Sequence, residues 1–261
     1  MSGFAGFQQL LVVALVVAHA VALGVILSYR SWRIYPAFAV YIFLNLVQGA
    51  ALLLIYRSHG VRSSFASHFA WGTEAAILLA RAMVIREICK HLLSAYRGIW
   101  ALAWRVLSVT AIFLAIYSLI VAGGSVRNAV LVADLGLELT IAAVLTTLFL
   151  FARYYGVEPD SALRSLAIGL FLFSCFTVLN NTVMSHAAER YYEVWNILSG
   201  LAFLASLLLW TWAFGSSVPA VASEALLPAD IYRALAPEIN VRLRRLNENL
   251  ATFFDREVRR P

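Results

Sequence analysis

Ionisable side chains inside long apolar runs are the residues of this chain best placed to do chemistry. Charge is costly to bury in hydrocarbon, and is tolerated mainly where it faces a bundle interior, a partner or a water-filled path. Glu74 and Arg81 fall in one such run, Asp134 and Glu138 in another. Seven positions separate the first pair and four the second, so each pair shares one face of a helix. At 1.5 Å per residue, Glu74 sits ~12 Å into its run, and Asp134 and Glu138 sit ~8 and ~14 Å into theirs, all within one half of a bilayer. Arg81 is expected either to be the counter-ion to one of the acids or to snorkel inward.

Uncharged polar groups fall at similar depth in other runs: Asn45 and Gln48, then Thr177, Asn180, Asn181 and His186, then Asn196 and Ser199. If they converge, three carboxylates against one arginine make a net negative cavity suited to a cationic or hydrogen-bonding ligand. The expected ligand-binding set is therefore Glu74, Asp134, Glu138, Arg81, Asn45, Gln48, Asn181, His186 and Asn196. The competing reading is that the same groups bond to one another and to carbonyls, holding helices together.

Several chemistries lack their residues. A retinal Schiff base needs a lysine within a helix, and Lys90, at the end of its run, is the single lysine of the chain. Transmembrane haem wants two facing histidines, whereas His19 stands alone near mid-run. His68 and His186 could meet an acid such as Asp134, but no metal-ligand spacing supports a centre. Zinc-dependent seven-helix lipid hydrolases use several late-helix histidines, and here only His186 is available. No phosphate loop or nucleophile elbow occurs. No cofactor is expected, and the chain reads as a non-enzyme.

The elements that must position these residues follow from composition. Of 261 residues, 62% are hydrophobic and 13% charged, too apolar for a water-soluble domain. The apolar residues form runs of spanning length at roughly 7–28, 37–56, 66–89, 106–122, 129–152, 165–187 and 193–214. Trp100 to Trp104 either extend the fourth run backward or lie flat at the interface. Ala18-His19-Ala20 resembles a signal-peptide cleavage site, but the start MSGFAGFQQ has no basic residue, so the first run is expected to be retained. Cys89 and Cys175 lie inside apolar runs and read as packing residues. The expected fold is all-α, a polytopic integral membrane bundle of seven transmembrane helices over residues 1–215.

Orientation follows from charge. With the N-terminus outside, fifteen of the 20 Lys and Arg residues lie on the cytoplasmic side and four outside, with Arg81 inside the third run. That excess obeys the positive-inside rule and explains the net charge of +6 without nucleic acid. Interfacial aromatics are expected at Trp32, Tyr35, Tyr154, Tyr155, Trp210 and Trp212 on the inner side, and at Tyr56, Tyr191, Tyr192 and Trp195 on the outer.

Residues 216–261 form a cytoplasmic linker and one amphipathic helix. Leu235, Ile239, Leu243, Leu246, Leu250 and Phe253 recur at helical spacing after a polar, proline-containing stretch. Residues 235–256 are expected to dock on the bundle, on the bilayer, or on a membrane or cytoplasmic protein partner. The implied location is a cell membrane, of the bacterial inner-membrane type. The leading functional expectation is a receptor-like sensory or scaffolding bundle binding a small ligand or membrane partner from outside. A small cation- or proton-coupled transporter or channel is the alternative, and an intramembrane enzyme the third.

Overall fold

The computed structural model describes residues 2–60, 63–93, 96–186, 192–216, 241 and 244–249. Among them are seven long helices: α1 (Ser2–Ser28), α2 (Pro36–His59), α3 (Ser64–Leu93), α4 (Arg97–Val121), α5 (Val126–Tyr155), α6 (Ser161–His186) and α7 (Tyr192–Ser216). A 3-10 turn, Ser31–Arg33, joins α1 to α2, and no strand occurs among the described residues. The fold is all-helical. Six helices are long and apolar enough to cross a bilayer, which marks a membrane-embedded protein. α3 matches them in length but carries Glu74, Arg81, Arg86, Glu87 and Lys90 within its length. Trp100 and Trp104 lie inside α4, so the fourth run extends backward rather than breaking at the interface.

Short connections make successive helices antiparallel. α1, α2, α3, α5, α6 and α7 close a ring in that order, with α3 leaning inward to reach α6. α4 stands outside the ring, against α3 and α5. It buries almost none of its side chains and presents Val109, Ile112, Phe113, Leu119 and Ile120 outward. Leu10, Val17, Leu54, Leu79, Leu150 and Leu208 do the same on the other helices. An apolar belt of that extent is unfavourable in water and matches hydrocarbon.

The ring interior is divided along its axis. Towards the end where α1 finishes it is an apolar and aromatic core of Ile26, Phe38, Ile85, Ile88, Leu145, Leu166, Trp210 and Phe214. Trp210 meets Phe38 and Tyr41 edge-on, and Phe38 stacks on Phe214 at 5.4 Å. Gly169 makes this possible, because a Cβ there would stand 2.3 Å from the indole nitrogen. Trp210, expected at the interface, is 1% exposed and donates to the Leu166 carbonyl at 3.3 Å. Tyr35 is likewise buried, whereas Trp32, Tyr154 and Trp212 are exposed.

Two carboxylates, neither anticipated from the sequence, tie helix ends together at this same end of the bundle. Glu87 of α3 accepts from the Ala37 and Phe38 amides, both at 3.2 Å, and so caps the first turn of α2 after Pro36. The helix dipole favours an anion there. Asp160 accepts from the Leu163 amide at the start of α6 and from the Tyr35 hydroxyl at 3.0 Å. Burial, reinforced by the Asp160 carboxylate, pushes the Tyr35 phenol well above its ordinary pKa, so it stays a hydroxyl donor.

Candidate functional site

The polar half begins where four of the six ring helices change character. On α5, the buried series Leu148, Leu145, Ile141 gives way to Glu138 and then Asp134. α3 changes from Ile88, Ile85 and Val84 to Arg81 and then Glu74. α2 passes from Phe38 to Tyr41 and then Gln48, and α6 from Leu166 and Leu170 to Ser174 and Thr177. Four amphipathic switches at one level place the polar groups together.

Arg81 is the hub. Its guanidinium bonds Glu138, reaches Asp134 at 3.1 Å and lies 3.9 Å from Glu74. The arginine is thus counter-ion to all three acids, where the sequence led one to expect a single partner. Exposure is graded along the cluster: Arg81 and Glu138 side chains are 6% and 0% accessible, Asp134 22% and Glu74 31%. The acids therefore lead from a sealed floor to a more open rim. Tyr41 and Phe173 form the aromatic floor, their rings 5.8 and 5.4 Å from the guanidinium carbon. Further towards the α1 N-terminal end, Arg127 of α5 lies over Trp71 of α3 at 5.7 Å.

Gln48 joins the rim. Its amide donates to Glu74 at 3.2 Å and Thr73 at 3.0 Å, with the Ala70 carbonyl at 3.4 Å. Asn45 does not join, since its amide donates to the Tyr41 carbonyl one turn back on its own helix at 2.8 Å. The side chains of Asn181, His186 and Asn196 lie outside the described residues.

Hydrogen bonding within the cluster is incomplete. Tyr41 Oη, Arg81 Nε, Glu138 Oε2 and Ser174 Oγ are buried with no partner among the described residues. Ser174 stands beside Glu138, and the Tyr41 hydroxyl beside Arg81, yet neither pair reaches hydrogen-bond geometry. Buried polar groups are normally satisfied. Their concentration at one level therefore distinguishes this region from the apolar half. Ser174 and Tyr41 were missed in the sequence because a serine and a tyrosine in apolar runs carry no pattern of their own.

Comparison with known protein families, curated proteins and solved structures gives no match. Chemistry must therefore be read from the residues. Among the described residues no group of three or more His, Cys, Asp or Glu side chains could hold a metal ion. His68 bonds back to the Ser64 carbonyl at 2.7 Å, and buried His19 to the Leu15 carbonyl at 2.7 Å. Cys89 and Cys175 are free thiols.

The tail meets the start of α4. Residues 244–249 are helical, and Asn247 accepts from the Gly98 amide in the first turn of α4 at 2.6 Å. The expected apolar stripe meets the described residues only at Leu246, which is largely exposed. Its other members lie outside them. The contact thus runs through a residue of the polar face, because a first-turn α4 amide without a helical partner is better satisfied by an amide oxygen than by an apolar side chain.

Proposed function

We propose that the chain is a seven-span membrane sensor that binds a small cationic ligand from the outer side and relays occupancy to its cytoplasmic tail. The observation that carries this reading is the Arg81 cluster, in which one guanidinium serves three carboxylates. The two surplus acids, with Asp134 and Glu74 accessible at the rim, make a site that a cation with hydrogen-bond donors would complete. Counting α3 as the seventh span is supported by its inward position, which turns its charges away from lipid.

The N-out orientation rests on the charge asymmetry of the loops and tail. It puts the graded opening from Glu138 to Glu74 on the outer side and the aromatic core on the cytoplasmic side. α4 is the natural relay. It is held outside the ring by local contacts, such as Leu114 seated over Gly136, two residues from Asp134 and from Glu138. Its first turn holds Asn247 of the tail. A transport path, the alternative, would need polar lining through the other half, where Phe38, Leu145, Leu166 and Trp210 fill the interior.

The test is thermal unfolding of the purified protein in micelles against guanidinium, choline and putrescine, with Asp134→Asn and Glu74→Gln alongside. At least one cation should stabilise the native protein and leave Asp134→Asn unaffected. Stabilisation by none, or equal stabilisation of the variants, overturns the reading.

A further inference from the structure

A second site lies at the opposite end of the bundle from the Arg81 cluster. A cleft of about 660 Å³ opens beside the start of α2 and the last turns of α3. Its rim carries Arg33, Arg86 and Lys90, and its wall carries Ile34, Val40 and Met83, all three exposed apolar side chains. We propose that this cleft binds an anionic phospholipid of the inner leaflet, its phosphate among the basic groups and its first acyl carbons along the apolar wall.

Charge is the first reason. Among the described residues Arg33, Arg86 and Lys90 form no salt bridge. Glu87, the acid in the cleft, is committed to the Ala37 and Phe38 amides. The rim is left with a surplus of positive charge. The second reason is Arg86 itself. Its guanidinium is held 4.5 Å over the Trp104 ring of α4. An arginine fixed against an aromatic ring is preorganised for an oxyanion. The third reason is the wall. A soluble phosphate has no use for Ile34, Val40 and Met83, whereas a lipid needs polar and apolar surface side by side, and basic pockets between helices at the cytoplasmic surface hold such headgroups.

This site rests on the membrane-spanning reading and the N-out orientation but not on the sensor role, so failure of the cation test above leaves it standing. Each basic group near an anionic lipid surface is worth about fivefold in affinity, so losing two should cost more than about tenfold. The experiment is native mass spectrometry of the full chain from micelles containing equal phosphatidylglycerol and phosphatidylcholine. Phosphatidylglycerol should be retained in preference. The Arg33→Gln/Lys90→Gln variant, which removes no hydrogen bond made by either side chain among the described residues, should fold normally and lose that preference, and Arg86→Gln should weaken it independently. Equal retention of both lipids, or an unchanged preference in the double variant, overturns the proposal. Displacement of the lipid by excess inorganic phosphate overturns its lipid source in favour of a soluble anion.

Discussion

Replacing Arg81 by glutamine tests the charge count at the cluster. The side chain is 6% accessible and reaches Glu138, Asp134 and Glu74. Its loss leaves three acids facing one another, with Glu138 fully buried. Breaking a buried ion pair by removing one partner costs about 3 to 5 kcal/mol. At roughly 2 to 4 °C per kcal/mol for a chain of this size, that is a fall in Tm on the order of 6 to 20 °C. Asp134→Asn should behave differently. It removes one surplus charge, keeps an acceptor oxygen for Arg81 at the 3.1 Å position, and leaves Glu138 and Glu74 in place. Its cost should not exceed about 1 kcal/mol, the net worth of one hydrogen bond. Glu138→Gln introduced into Arg81→Gln should recover part of the loss, since directly contacting residues couple. Scanning fluorimetry in micelles, checked by size-exclusion chromatography, reads all three. If Asp134→Asn is as damaging as Arg81→Gln, the acids are not in surplus and the reasoning fails.

Gly169→Ala should lower Tm and shift tryptophan fluorescence, because the new Cβ falls 2.3 Å from the Trp210 nitrogen and must push the indole out of its aromatic cluster; an unchanged spectrum would contradict the packing described. Asp160→Ala removes both the cap of α6 and the acceptor for Tyr35, and should cost about 1 to 2 kcal/mol in the same melt, with Asp160→Asn recovering part of it. Asn247→Ala frees the Gly98 amide and should speed limited proteolysis of the tail without altering the melt of the bundle; unchanged cleavage would show that this contact does not hold the tail.

Much of this arrangement was readable from spacing. Runs of spanning length gave the helices, and Glu74, Arg81, Asp134 and Glu138 stood out because charge in an apolar run demands a partner. The features that escaped depend on tertiary neighbours. Glu87 near the end of α3 resembles an interfacial charge, and becomes a cap only because the α2 N-terminus lies beside it. Trp210 resembles a belt tryptophan until Gly169 on α6 opens a slot for it. Asn45 resembles Gln48, but its shorter side chain bonds its own helix rather than crossing to α3. α4 has the composition of any spanning helix, and nothing in its sequence says that it stands outside the ring.

The most direct test of an outward-facing acidic site is chemical access to its rim. Glu74, the most accessible of the three acids, is changed to cysteine in a Cys89→Ser/Cys175→Ser background and expressed in intact cells. A membrane-impermeant maleimide added outside should label Glu74→Cys, while a cysteine placed at Leu145, in the apolar half, should stay unlabelled. Labelling of Glu74→Cys only after the cytoplasmic side is exposed would contradict the orientation, and no labelling from either side would contradict an open site.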